Sequence, residues 1–471
     1  MGEEVNLKEK LIRRDRFTYE LPAGTVEGQK VPVVVYISEH LFELLEESAI
    51  RQAVNASMLP GVVKAIYVMP DVHVGYGFPV GGVMATDVSE GIISPGSIGY
   101  DINCGVRLIS TKLEEKDIRD RVESLMNEIL KRIPAGVGST GPIKVDSREM
   151  RKVLTDGARW AVEQGFGFDD DLGNIESGGV LPDADPSFAS MEAYERGSDE
   201  LGTVGSGNHF IELQVVEEVY DGSKAGQLGL EKGQVVIMVH SGSRGFGHQV
   251  CTDYLKIALS SAEKYGINLP DPQLACMPFE SEEGQRYYGA MCASANYAFA
   301  NRQILGYRTA EVIKNFLGLS WHQLGYRVIY DLAHNIGKVE EHRVNGETKK
   351  VVVHRKGATR SFPGQPVIIP GDMGRASFLL VGQEASMEES FGTACHGAGR
   401  LMSRRKAKKF VKERGLDKVI EGINVVARGK GTIAEEIPQA YKDVTEVVEV
   451  VDGLGIASVV LKLRPIGTLK G

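Results

Sequence analysis

Asp101 and Cys104 stand three residues apart in Asp101-Ile102-Asn103-Cys104, near the end of a block, PDVHVGYGFPVGGVMATDVSEGIISPGSIGYDINCGVR, that spans residues 70–107 and holds eight glycines. A carboxylate and a thiol are both metal-ligand types. The thiolate favours softer ions such as zinc, whereas oxygen donors favour manganese or magnesium. A capping aspartate and a small buried cysteine would look the same in sequence. Three histidines enlarge the set. His209 opens an apolar run after Gly205-Ser206-Gly207-Asn208; His240 ends VVIMV and precedes Ser241-Gly242-Ser243-Arg244-Gly245; His334 ends VIYDLA and precedes Asn335. One such histidine reads most simply as a hydrogen-bonded structural residue. Three at strand edges beside polar or glycine loops suit ligands gathered into one pocket. These five donors could share two ions if the thiolate bridges, and a two-metal site suits phosphoryl transfer.

A second constellation is Cys395-His396-Gly397-Ala398-Gly399-Arg400. Residues 400–412 after it carry seven basic side chains and no acid. This reads as a loop histidine just before a basic helix, whose free amides and partial positive charge can hold phosphate. The same field would keep the imidazole unprotonated and nucleophilic. A solvated helix with a capping histidine is the plainer reading. A further basic patch, Arg343, Lys349, Lys350, Arg355, Lys356 and Arg360, lies at 343–360. Together the two patches offer an anionic polymer a place to dock. His73, inside the glycine block, reads equally as structural or as a neighbour of the ligands. Cys251, Cys276 and Cys292 read as core residues on helical stretches.

Helical spacing of apolar residues predicts helices over 38–58 (capped by Ser38), 115–133 and 146–165, and one or two helices over 281–317. Apolar runs predict strands at 66–69, 209–216, 235–239, 327–333 and 458–465, with a hairpin over 341–355 turning at Asn345-Gly346. Residues 168–200 are acidic and poor in apolar residues, which predicts a surface excursion. Strands and helices alternate irregularly, with no repeat. The expected fold is therefore a mixed α+β chain, sheets packed with helices around a central pocket. No strand–GxGxxG–helix unit and no GxxxxGK[ST] loop is present, so neither a dinucleotide fold nor a Walker-type site is expected.

With 42% hydrophobic and 25% charged residues, the chain of 471 has an ordinary globular balance and is not disordered throughout. Its net charge of −9 excludes a surface coated for nonspecific nucleic-acid binding, so any RNA contact must be local. Five cysteines fit no disulfide framework and suggest a reducing compartment. Without an apolar leader, a myristoylation motif at Gly2 or an apolar run long enough to span a bilayer, a cytoplasmic protein without membrane association is expected.

The motifs PDVHVGYGFPVGG (70–82), GYDINCGVR (99–107), GSGNHFIE (205–212), VHSGSRGFGH (239–248), DLAHN (331–335), CHGAGR (395–400), AYKDV (440–444) and the final LKG closely resemble, in order and over nearly the whole chain, the RtcB family of RNA ligases. The resemblance implies joining of an RNA 3′-phosphate or 2′,3′-cyclic phosphate end to a 5′-hydroxyl end, as in splicing of transfer RNA halves or RNA repair, with GTP and two manganese ions. It implies that Cys104 bridges the ions, that His209 and His240 complete one shell, and that Asp101 and His334 complete the other. It makes His396 the nucleophile that takes up GMP. It assigns Asn208, Glu212, His334, Asn335, Ser377, Tyr441 and Lys470 to the guanine nucleotide, and Arg244, Lys356, Arg400 and Arg404 to RNA phosphates. It also implies one large domain over residues 1–471, and an archease-type activator accompanies some relatives. Two other readings fit the residues without it: a two-metal cyclic phosphodiesterase, which has no use for His396, and a noncatalytic RNA-binding or metal-storage protein.

Overall fold

Runs of valine and isoleucine build two large sheets in the computed structural model, which describes residues 6–136 and 138–471; Gly2 lies outside them. The first sheet has seven strands: Ile12–Arg13, Thr18–Leu21, Val33–Tyr36, Val62–His73, Val80–Asp87, Glu347–Lys356 and Asn335–Val344, in that spatial order. Its last two strands are the expected hairpin, turning at Asn345, which takes the left-handed conformation with φ 53°. The second sheet has eight strands in the order Arg327–Ala333, Gly105–Glu114, Gln234–Ser241, Phe210–Val219, Ala457–Lys470, Ser377–Gly382 and Pro366–Ile369, with Val425–Ala427 beside Ala457–Lys470. The strands read at 66–69 and 458–465 lie within longer ones.

Side chains alternate across the second sheet. Val235, Ile237 and Val239 pack with helix Val122–Arg132 on one face. Val236, Met238 and Leu332 pack with Val106, Leu108 and Leu461 on the other. The run 281–317 forms one helix of 36 residues, Glu282–Leu317, capped by Ser281 and ended by Gly318 at φ 69°. Its middle is buried all round, which explains why it lacks a polar stripe. No helix among the described residues is long and apolar enough to cross a membrane. The architecture is mixed α+β, as composition and pattern suggested.

Three helices differ from the sequence reading. The one expected over 38–58 splits into Glu39–Glu43 and Glu47–Ala56, because Glu46 is extended between them at ψ 128°. The one over 115–133 splits into Glu115–Ile118, a 3-10 turn and Val122–Arg132. The one over 146–165 spans Ser147–Glu163 with a kink at Gly157, where φ is 53° and a Cβ would come within 2.3 Å of the Gly179 carbonyl oxygen. Residues 168–200 are mostly exposed or half-buried, as a surface excursion should be, yet the segment is anchored to the core. Ile175, Leu181 and Ala193 are buried, and helix Met191–Ser198 packs on helix Arg244–Lys264. One of its acids, Glu176, is itself buried and ion-paired with Lys338.

The basic patch read at 343–360 is largely internal. Glu347–Lys356 lies inside its sheet between two neighbours. Arg355 is fully buried, with both guanidinium nitrogens on Glu340 at 2.7 and 2.9 Å. Lys356 is buried, and Arg360 faces Glu176 at 3.9 Å. Only its hairpin-tip members remain to meet a polymer.

Candidate metal and nucleotide centre

One end of the eight-stranded sheet gathers the candidate ligands. Cys104 immediately precedes strand Gly105–Glu114, His209 immediately precedes Phe210–Val219, His240 is next to last in Gln234–Ser241, and His334 follows Arg327–Ala333. Register brings these ends together, with Val106 opposite His240, Phe210 opposite His240, and Ala333 opposite Gly105. Cys104, His240 and His334 also share the alternation of Val106, Met238 and Leu332, and so project from one face.

The thiol Sγ of Cys104 lies 3.2 Å from His240 Nε2 and 3.4 Å from His209 Nε2. His209 Nε2 is 2.8 Å from Asp101 Oδ2. His334 is buried, its ring centroid 5.4 Å from that of His240, and neither of its ring nitrogens has a hydrogen-bond partner. Cys104, His209 and His240 present ligand atoms within 4.8 Å of one another and could hold a metal ion. Burial drives His240 and His334 well below the ordinary imidazole value, so both are neutral at pH 7. Burial pushes the Cys104 thiol well up, and the Asp101 carboxylate adds to the effect. Burial also raises Asp101, but His209 and Arg244 outweigh it and hold the carboxyl below its usual value. Neutral imidazoles with free nitrogens, a carboxylate and a thiol that only a cation would deprotonate form a donor set that fits divalent metal.

Arg302 of the long helix fixes this geometry. Its guanidinium donates to the Asn103 carbonyl at 2.6 Å, to the Ser241 carbonyl at 3.1 Å and to Asp331 at 2.7 Å. It thus ties the Asp101–Cys104 turn to the residue after His240 and to the strand that leads to His334. Asn103 takes the left-handed conformation with φ 51°, which bends the chain so that both flanking donors face inward. The side chain of Asn335 brackets the same turn, donating to the Asp101 carbonyl at 3.0 Å and accepting from Gly357 N–H at 2.8 Å. Gly242 leaves room for Asp101, whose carboxylate would meet a Cβ there at 2.2 Å.

His396 lies in a loop, as expected, but the basic helix does not start beside it. It follows strand Thr393–Cys395, and the basic helix begins only at Arg404, capped by Ser403. The influence on its ring is a carboxylate. Asp71 Oδ2 accepts from the His396 backbone N–H at 3.0 Å and lies 2.5 Å from Nδ1, which leaves Nε2 as the second ring nitrogen. Lys442 holds Asp71 in place by donating to the carbonyls on either side of it, Pro70 at 3.0 Å and Val72 at 2.6 Å. Gly399, at φ 75°, passes so close that a Cβ would stand 2.0 Å from the Asp71 carbonyl oxygen. The rings of His396 and His334 are 5.2 Å apart, so the two constellations meet. Sequence reasoning gave no role to Asp71 or Lys442; both lie within quoted motifs, but nothing local links positions so far apart.

A cavity of about 260 Å³ opens at this junction. Cys104, His240, His334 and His396 line it, with Asn208, Glu212, Asn335, Lys356, Arg400, Arg404, Tyr441 and Lys470. Of the remaining expected residues, Ser377 touches it indirectly. Gln214 donates to Ser377 Oγ at 3.1 Å and to Glu212 Oε2 at 2.7 Å, while Thr468 donates to Glu212 Oε1 at 3.1 Å. Burial raises Glu212 and lowers Lys470, an opposed pair that shares one wall. Arg400 is taken up by Glu436 at 2.9 Å and the Tyr441 hydroxyl at 3.1 Å, and Tyr441 donates to the same buried Glu436. Arg244 points inward to Thr203 and the Gly136 carbonyl. Lys356 donates to the Tyr76 and Gly96 carbonyls, and burial lowers it to about 7. Arg404, with over half its side chain exposed, is the freest of the four cations expected at RNA. His73, lowered by burial to about 4, lies behind His396 with Nδ1 3.3 Å from the Asp71 carbonyl oxygen. All five cysteines are free and buried.

Residues 52–471 match the family model described as tRNA-splicing ligase RtcB. A tRNA-splicing ligase RtcB from Archaeoglobus fulgidus is 47% identical over 99% of this chain and 100% of its own length. One from Thermococcus kodakarensis is 47% identical over the whole of both chains. An RNA-splicing ligase RtcB homolog from Entamoeba dispar is 43% identical over 98% of this chain and 91% of its own. A match of this length, whose motifs converge on one cavity, places the chain in the RtcB family.

Proposed function

We propose that this protein is an RNA ligase of tRNA splicing or RNA repair that joins a 3′-phosphate or 2′,3′-cyclic phosphate end to a 5′-hydroxyl end at the expense of GTP. The observation that carries the reading is the meeting of His396, oriented by a buried carboxylate, with the Cys104–His209–His240 cluster in one cavity. With Nδ1 held by Asp71, Nε2 of His396 attacks the α-phosphorus of GTP and pyrophosphate leaves, giving a histidine–GMP phosphoramidate. The RNA 3′-phosphate then attacks that phosphorus and frees His396. The 5′-hydroxyl attacks the activated 3′-phosphate, and GMP departs. A free phosphate has only oxide or water to expel, so capping it with GMP supplies the missing leaving group. A cyclic phosphate is first opened by water.

Asp101, Cys104, His209, His240 and His334 would hold two manganese ions, which when bound neutralise the charge gathering on adjacent phosphates. Glu212 suits guanine, since its carboxylate can accept from N1–H and the amino group, and Gln214 and Thr468 fix its rotamer. Lys470 and Asn208 border the same wall.

The test is incubation with manganese and α-labelled GTP, followed by mass mapping. A GMP adduct on His396 that disappears in His396→Ala is expected. If His396→Ala still joined RNA ends, the reading would be wrong. Opening of cyclic phosphate with no adduct in the wild-type protein would identify a phosphodiesterase instead.

A further inference from the structure

Three aromatic rings beside the cavity have no part in the chemistry above. Tyr100, which lines the cavity, stacks on His248 with centroids 4.9 Å apart and planes at 29°. Tyr76 meets Tyr100 edge-on at 5.5 Å. Tyr76 and His248 are exposed, so the cluster is an open face and not a buried contact. Tyr100 directly precedes Asp101.

The loops that carry these tyrosines are pinned. Gln52 grips Gly75 through both its amide oxygen and its amide nitrogen, at 3.0 and 2.6 Å. Gln273 accepts from Gly77 N–H at 2.8 Å. Lys356 donates to the Tyr76 carbonyl at 2.5 Å and to the Gly96 carbonyl at 2.8 Å, and so joins one loop to the other. Gly77, at φ 67°, has the Gln273 carbonyl where a Cβ would stand, 2.4 Å away. Lys356 thus serves as a brace between loops. Rings left in water on loops held this firmly are preorganised for something that stacks. Single-stranded RNA ends are recognised by bases that stack on aromatic side chains, and such stacking tolerates any sequence because every base has a π-face. Arg404 lines the same cavity; it lies 3.7 Å from Glu435 and 3.4 Å from Glu436, but more than half of its side chain is exposed, so it can also face a phosphate backbone.

We propose that Tyr76, Tyr100 and His248 form a platform on which a terminal nucleobase stacks when its RNA end occupies the cavity. The platform rests on the ligase reading and adds to it a subsite for the nucleotide beside the join. It holds the base by its face, so it does not select sequence.

Oligonucleotides bearing 2-aminopurine at the last position of a 3′-phosphate strand, or at the first position of a 5′-hydroxyl strand, test the platform by fluorescence. Wild-type protein should quench one of the two. An abasic residue at that position should weaken binding about tenfold. Tyr76→Leu combined with His248→Ala should abolish the quenching and make the abasic and parent strands bind alike, while Tyr76→Phe should keep both effects. Both rings are exposed, and a melting curve checks that the double variant is folded. Equal binding of abasic and parent strands by the wild-type protein, or undiminished quenching in the double variant, would overturn the proposal. Labelling the same wild-type preparation with α-labelled GTP separates the two readings. An adduct without quenching removes the platform alone; quenching without an adduct removes the ligase reading and leaves the platform as an RNA site.

Discussion

A histidine becomes a nucleophile when one ring nitrogen is committed and the other is aimed. Asp71 commits Nδ1 of His396 and also accepts from the backbone N–H groups of His396 and Gly397, at 3.0 and 3.2 Å, so ring and main chain are fixed by a single carboxylate oxygen. In Asp71→Asn the charge is lost and the amide can present its N–H₂ to the ring, favouring the wrong tautomer. Adduct formation from labelled GTP should slow about a hundredfold or more, with an altered pH profile. A wild-type rate and profile in single-turnover labelling would show that Asp71 serves folding alone.

The long helix Glu282–Leu317 acts as a jig for the donors. Arg302 and Arg107 both reach Asp331, at 2.7 Å each, with all three side chains fully buried. Removing Arg302 leaves Asp331 still paired with Arg107, but it strips the donors from Asp331 Oδ1 and from the buried Asn103 and Ser241 carbonyls. At about 1–3 kcal/mol for each buried group left without a partner, Arg302→Leu should cost about 3–5 kcal/mol, read from urea unfolding. A loss below about 1 kcal/mol would mean that packing alone positions the turn. A second buried cluster supports the strand before His334, where Glu176 accepts from Ala333 N–H at 3.0 Å and pairs with Lys338. Burial alone would raise this carboxyl, but Lys338 and Arg360 outweigh it and hold it at about 2, against 4.5 for an unperturbed glutamate. The folded value lies below the unfolded one. The stability it contributes is thus complete above about pH 4.5 and is lost as pH falls toward 2. Glu176→Gln should be less stable at pH 6 and show a smaller drop between pH 6 and pH 3. An unchanged drop would contradict the assignment.

Across the molecule, the cavity forms where two sheets end side by side. Asp71, His73 and Lys356 come from the seven-stranded sheet, while Cys104, His240, Glu212 and Lys470 come from the eight-stranded one. Strand Ala457–Lys470 runs through the second sheet and places Lys470 opposite Phe210, its Nζ 5.1 Å from that ring's centroid. A charged hydrogen bond from this buried amine to a nucleotide is worth roughly 1.5–3 kcal/mol. Lys470→Met should therefore weaken binding of a fluorescent guanine nucleotide by about tenfold or more, with little change in urea midpoint. Unchanged affinity would place the nucleotide elsewhere in the cavity.

Residue types and spacing already named the candidate donors Asp101, Cys104, His209, His240 and His334 and set the histidines at strand edges. That much is local; that Cys104, His240 and His334 share one face followed only from the register of their strands. Motif order carried the family. Pattern could not reveal that Asp71 meets His396 across 325 positions of sequence, because a pairing of that separation is written in no window of the chain. Nor could it tell an exposed cation from an internal one. Arg355 and Lys356 read as a docking patch, yet their strand lies between two others and their charges are spent on Glu340 and on loop carbonyls. Burial depends on which elements stack on which, and that is a property of the packed whole.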